Sequence, residues 1–184
     1  MRIYLAGKIT KNGWRNTIVN NPEDSRDGKP DFISGDVNMQ KIPEWPVREK
    51  AIFGTHSYTG PYFIGDDHGC AHGAHSHGLG IGHDWNPDLH NIPSRRQVTK
   101  LCIKAIIKSD LIFAWITEND CYGTIAEIGY AFGWGKSIHI AGKHLPDLWF
   151  LYNMSSYECD FKSADPKTAL SNFLDKPTHK INRD

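Results

Sequence analysis

The sequence predicts an α/β domain built on a parallel sheet, and three stretches carry that expectation. Residues 109–141 read as strand, loop, helix and strand in succession. Arg2-Ile3-Tyr4-Leu5-Ala6 is a short β-type run that stops at Gly7. An amphipathic helical pattern precedes Ser109 and delivers the chain into the second strand. A strand, helix and parallel strand in this order form a crossover unit, and such units lay strands side by side in one direction.

Taken in order, residues 2–6 form a central strand, and Gly7-Lys8 opens a turn where backbone can approach a ligand. Lys8, Lys11 and Arg15 follow as solvated surface charges, with a phosphate or carboxylate contact at the sheet edge as the alternative. Trp14 to Val19 reads as a short helix. From Asn20 to about Ile42 the turn chemistry of Asn-Asn-Pro, Asp-Gly-Lys-Pro and Ser-Gly-Asp predicts loop. Ala51-Ile52-Phe53-Gly54 suits a short strand. Residues 53–90 hold seven of the ten histidines and are dense in glycine, with Tyr62-Phe63-Ile64 the strand-like piece. So much glycine needs pinning by hydrogen bonds, a ligand, a metal or a neighbouring subunit.

Ser94 and Gln97 then make a capping box. Val98, Leu101, Cys102, Ala105 and Ile106 share one helical face, which makes Cys102 plain core. Leu111 to Ile116 is an apolar run of the length of a strand buried on both faces. After the polar loop 117–123, Thr124 caps a helix that buries Ile125, Ile128, Ala131 and Phe132 and ends at Gly133 and Gly135. Ser137 to Ile140 is the next strand. Pro146 to Tyr152 is a short helix, Tyr157 to Phe161 an edge strand, and Asp165-Pro166 starts a final helix to about Leu174.

With 184 residues, one domain spans 1–184, carrying an insertion at about 20–92. Acidic and basic residues balance at 21 each, and no basic block marks a nucleic-acid face. No apolar run approaches the ~20 residues of a membrane span, and the strand-like start does not suit a signal peptide. Four scattered cysteines follow no disulfide framework, so reduced thiols in a cytoplasmic protein are expected.

Glu127 is the leading candidate for chemistry, on a helix just past the loop that holds Asp120. Retaining glycosyl transfer needs a carboxylate nucleophile and an acid that protonates the leaving group. The plain alternative is that Glu127 only favours the helix dipole and Asp110 only caps or pairs. In the histidine segment, His68, Cys70 and His72 alternate so that an extended chain puts all three on one face. They suit either a lid that hydrogen-bonds substrate or a zinc site, although H-x-C-x-H is not a standard structural zinc spacing.

Tyr4-Leu5-Ala6-Gly7, Ser109-Asp110-Leu111, Gly123-Thr124-Ile125-Ala126-Glu127-Ile128-Gly129-Tyr130-Ala131 and Gly135-Lys136 together resemble the nucleoside 2-deoxyribosyltransferase family. That superfamily includes nucleoside 5'-monophosphate N-glycosidases. The resemblance covers the first strand and residues 95–141, and leaves 20–92 unexplained. It implies a flavodoxin-like three-layer sandwich with a five-stranded parallel sheet. It implies Glu127 as nucleophile, Asp110 holding or protonating the base, and Asp120 contacting the sugar. The family's sugar aspartate stands six residues before the glutamate; here Cys121 has that place, and Tyr122 reads as an inserted residue. The expected substrate-binding set is Tyr4, Gly7, Lys8, Gly123, Thr124 and His68. No cofactor and no metal are expected, the substrate is a nucleoside or nucleotide, and the chain forms a homodimer or higher homo-oligomer. Two other functions compete: a nucleotide-binding or sensing protein without turnover, and a zinc-dependent hydrolase centred on the histidine segment.

Overall fold

The computed structural model describes residues 1–9, 14–19, 50–61 and 95–176. Five strands among them form one sheet: β1 (Arg2–Gly7), β2 (Lys50–Ile52), β3 (His56–Gly60), β4 (Leu111–Ile116) and β5 (Ser137–Gly142), in the order β2-β3-β1-β4-β5. Four α-helices accompany them: α1 (Arg95–Lys108), α2 (Tyr122–Gly133), α3 (Trp149–Tyr152) and α4 (Pro166–Asp175). A single 3-10 turn at Trp14–Thr17 stands where the sequence predicts a short helix.

Strands β3, β1, β4 and β5 run parallel, the direction the sequence predicts for β1, β4 and β5, but β2 runs antiparallel to β3 at the edge. The sheet is therefore not parallel throughout. The reason is the connection: β2 and β3 are joined by three residues, with the Thr55 amide donating to the Phe53 carbonyl at 2.8 Å. A link that short cannot carry a crossover, so the chain must reverse. Both strands fall inside the expected insertion, so residues 50–60 belong to the sheet. The sequence pattern overlooks β3, because His56-Ser57-Tyr58-Thr59-Gly60 contains one large apolar residue and ends in glycine. The expected strand at 62–64, the capping box at 94–97 and the loop at 20–42 lie outside the residues or side chains described.

β1 and β4 are buried on both faces, as continuous apolar runs imply. Their register decides what each face carries. Tyr4 pairs with Ile112, and Leu5 pairs with Phe113, so Tyr4 and Phe113 point to opposite sides. On one side Phe113 meets Trp14 and His139, and His139 stacks on Phe173 of α4. On the other, Tyr4 meets Glu127 of α2, and α1 packs beside α2. Helices thus cover both faces.

Several boundaries differ from expectation. α2 begins at Tyr122 with Cys121 at its N-cap and no side-chain cap, so Thr124 lies buried inside the first turn. Its buried stripe is Thr124, Ile128 and Ala131, spaced four and three apart, which turns Phe132 outward to half exposure. The expected edge strand at 157–161 contracts to one parallel bridge between Ala141 and Asp160. The Asp160 carboxylate accepts from the amides of Lys162 and Ser163 at 2.9 and 3.0 Å, and this turn ends the pairing. α4 starts as predicted, with Asp165 accepting from the Thr168 amide at 2.8 Å and Pro166 in the first turn.

His139 of β5 is 4% exposed, and neither ring nitrogen has a hydrogen-bond partner among the described residues. Its ring lies 4.2 Å from that of Phe173, with Tyr157 and Phe113 closing the sides. Burial favours the neutral ring and lowers its pKa from 6.5 to about 4, against the opposing charge of Asp160. A folded pKa below the unfolded value means that the unfolded chain binds the proton first. Stability is then lost as pH falls from 6.5 towards 4, by up to roughly 3 kcal/mol. His139→Phe is expected to flatten that part of the profile of thermal-melting midpoint against pH; an unchanged slope between pH 6.5 and 4 would count against this origin.

Candidate active site

The chain crosses from β3, on one side of β1, to β4 on the other. Ligands of open α/β sheets bind at such a reversal, beyond the carboxyl ends of the strands. In this chain those ends are Gly7-Lys8 after β1 and Thr117-Glu118 after β4.

Tyr4 is fully buried, and its ring runs close past Gly60. A Cβ at Gly60 would come within 2.5 Å of the Tyr4 ring, so only glycine leaves room for it. Anchored there, the Tyr4 hydroxyl donates a hydrogen bond to Oε1 of Glu127. Glu127 sits in the second turn of α2 and keeps partial exposure to solvent. The crowding of protein atoms around it raises its pKa from 4.5 to about 7, although the Tyr4 hydrogen bond and the Arg15 charge both pull downwards. Tyr4 is itself pushed well above 10, by burial first and then by the nearby Cys102 and Glu127. Cys102 is thus half-buried beside the Tyr4 hydroxyl as well as packed on the core, where the sequence predicts core alone.

Lys8 extends from the β1 turn to the loop after β4. Its ammonium donates to Glu118 at 2.5 Å and to both oxygens of Asp120 at 3.0 and 2.9 Å. The pairing raises the Lys8 pKa and lowers that of Asp120, so both stay charged at neutral pH. All three side chains are well exposed, and the contact orders the mouth of the site more than it stabilises the fold. Gly7 lets the turn pass tightly over Trp14, where an added Cβ would stand 2.8 Å from the indole.

Arg15 is the residue that sequence reasoning misplaced. Read as a solvated charge, it is in fact fully buried. Its Nε, Nη2 and Nη1 donate to the carbonyls of Leu5, Gly7 and Lys8 at 2.8, 2.5 and 3.3 Å. Its guanidinium carbon lies 4.7 Å from the centre of the Trp14 ring. No sequence pattern separates Arg15 from Lys8, because what buries it is the fold of the turn around it.

Asp110, expected to hold or protonate the base, is paired with Arg2. It immediately precedes β4, so it lies at the amino end of that strand. There it accepts from the Arg2 amide at 2.8 Å and from the Arg2 guanidinium at 2.8 Å, and that pairing lowers its pKa. Gly123 and Thr124 are in the first turn of α2; Gly123 is exposed with open space at its Cα, and Thr124 faces the core. His68, with Cys70 and His72, lies outside the described residues. Among the described residues no cluster of histidine, cysteine, aspartate and glutamate is arranged to hold a metal ion. A cleft of about 630 Å³ between residues 157–164 and α4 contains none of the predicted site residues.

The arrangement offers a carboxylate poised between its two protonation states, a phenol hydrogen-bonded to it, and an ionised aspartate at the rim. No protein-family model, curated protein or solved structure matches the chain.

A carboxylate whose folded pKa is raised is protonated more readily in the fold than in the unfolded chain. Glu127 therefore costs stability as pH climbs from 4.5 through about 7, by at most roughly 3 kcal/mol. Glu127→Gln is expected to raise the melting temperature at pH 8 and to leave it unchanged near pH 4. Denaturation curves at the two pH values test this; equal effects at both would show that desolvation of the charge is not the cause.

Proposed function

We propose that this chain is an enzyme that cleaves or transfers the N-glycosidic bond of a nucleoside or nucleotide, with Glu127 as nucleophile. The observation that carries the reading is the Tyr4–Glu127 hydrogen bond between the central strand and α2, around a carboxyl group with a pKa of about 7. A carboxylate with few stabilising partners is more reactive towards an anomeric carbon than a fully solvated one, and Tyr4 limits its orientation. Glu127 attacks the anomeric carbon, the bond to the base breaks with its electron pair leaving on the base nitrogen, which takes a proton from water, and the sugar stays on Oε until water or a second base displaces it. Asp120, ionised beside Lys8, is suited to accept hydrogen bonds from sugar hydroxyls and poorly suited to donate a proton. Asp110 is paired with Arg2, which keeps it ionised and favours holding the base over protonating it.

The fold we propose is flavodoxin-like. Without β2, the strand order β3-β1-β4-β5 followed by the parallel bridge at Asp160 corresponds to the 2-1-3-4-5 order of such domains. No helix among the described residues is long and apolar enough to cross a membrane, and the reading is of a cytoplasmic protein. Tyr122, Phe132, Trp134, Trp149 and Phe150 leave large apolar side chains on the surface, which supports a homo-oligomer. A second reading is a nucleotide-binding protein without turnover. It is favoured by Asp120, which in its pairing with Lys8 is not available as an acid.

Incubation with a panel of deoxynucleosides and nucleoside monophosphates, with and without an acceptor base, is expected to release or exchange free base. Glu127→Gln should lower the rate by roughly three orders of magnitude or more, while Asp110→Asn stays within a few-fold of the parent. Binding of a panel member without base release would favour the second reading. Full activity in Glu127→Gln would end the first.

A further inference from the structure

We propose that the cleft between residues 157–164 and α4 is a second ligand site, for a small planar heteroaromatic acid. It lies on the face of the sheet that carries Phe113 and His139, whereas Tyr4 and Glu127 meet on the other. The inference does not rest on the activity proposed for Glu127.

Buried polar groups in folded proteins are nearly all hydrogen-bonded, so each exception calls for a reason. Among the described residues four buried side-chain atoms have no partner, and three of them are histidine nitrogens: Nδ1 of His56 and both nitrogens of His139. His139 lines the cleft of about 630 Å³. His56 lines a smaller hollow, of about 140 Å³, that shares Tyr157, Phe173 and Lys176 with the cleft. The unmet hydrogen-bonding capacity therefore gathers around two adjoining hollows. His139 is 4% exposed and its ring is uncharged at neutral pH, so one nitrogen carries a hydrogen and the other a lone pair. Apolar neighbours satisfy neither. A heteroaromatic ring brings polar atoms on its edge, and its flat faces suit packing beside Tyr157 and Phe173, whose rings meet edge-on at 4.8 Å.

The rim selects the charge of the ligand. Thr168 and Asn172 stand four residues apart on α4, and Lys176 at its C-cap continues that line along the cleft. Lys162 lies in the facing segment, and neither lysine forms an ion pair among the described residues. Of the two carboxylates in the lining, Asp160 already accepts from the amides of Lys162 and Ser163 and from the Ser163 hydroxyl. Glu158 is then left against two cations, an excess that favours an acid over a neutral or basic molecule. The volume falls within the usual range of small-molecule sites.

The test uses nicotinate, whose pyridine nitrogen and carboxylate supply both features. Benzoate, which lacks the ring nitrogen, and nicotinamide, which lacks the charge, are the controls. Each is titrated at neutral pH into the nitrogen-15-labelled full chain, and the His139 ring nitrogens, assigned by their loss in His139→Phe, are followed by long-range proton–nitrogen NMR. Nicotinate is expected to shift them saturably, with half-saturation below about 5 mM, and to bind roughly fivefold or more tighter than either control. Asn172→Ala and Lys176→Ala, both changes of exposed side chains, should each weaken nicotinate by about threefold or more. Absence of a saturable shift up to about 50 mM, or an equal response to all three probes, overturns the proposal. If His139→Phe does not fold, calorimetry on the other two variants decides, and affinities within about twofold of the parent in both overturn it. Loss of nicotinate binding in Glu127→Gln would put the probe at the Tyr4–Glu127 contact and overturn it as well.

Discussion

Tyr4 reaches Glu127 across the gap between the central strand and α2, and the register of the sheet makes that contact possible. Residue 4 must point to the α1 and α2 side of β1, and a slip of one residue would turn it towards Trp14 and Phe113. The neighbouring strand must then have no side chain where the phenol passes, which is the place of Gly60. α2 must begin early enough to bring its second turn over β1. Each of these is a packing requirement, and together they hold a carboxyl group beside a phenol with little freedom in either.

Charge is distributed with the same economy. At the amino end of the sheet, Arg2 and Asp110 neutralise each other at the surface, where pairing is cheap and weakly stabilising. At the carboxyl end, Lys8 is drawn between two exposed carboxylates, while Arg15 is buried with backbone partners only. The two cations, seven residues apart, therefore do different things: one organises the rim in solvent, and the other acts through a medium that screens poorly. Glu127 sits between desolvation, which favours its acid form, and Arg15 and Tyr4, which favour its anion. A midpoint near neutrality is the outcome of that balance.

The opposite face of the sheet is aromatic rather than ionic. Phe113, His139, Tyr157 and Phe173 form a continuous ring cluster between β4, β5 and α4. His139 is held there as an uncharged ring whose nitrogens find no partner among the described residues. Its place in a row of apolar rings, stacked flat on Phe173, is a shape fit that leaves its polar atoms unused.

By itself the sequence determined what local pattern can encode. Short apolar runs at residues 3–6 and 111–116 became strands, because unbroken hydrophobicity of that length is readily buried on both faces of a sheet, and the β-type Ser137-Ile138-His139-Ile140 joined them. The Asp165-Pro166 start and the Gly133 and Gly135 stop of two helices were legible for the same reason: capping and turn chemistry act within a few residues. Glu127, too, was identifiable from its place beyond a strand and loop. Tertiary structure alone decided the rest. His56 to Gly60 became a strand because a parallel neighbour was there to pair with it, and β2 reversed because three residues are too few for a crossover. Asp110 came to pair with Arg2 at the amino end of β4, because strand direction, which local pattern does not carry, determines which end of the sheet a flanking residue occupies. Arg15 and Lys8 look alike along the chain, and only the folding of the turn buried one and left the other in water.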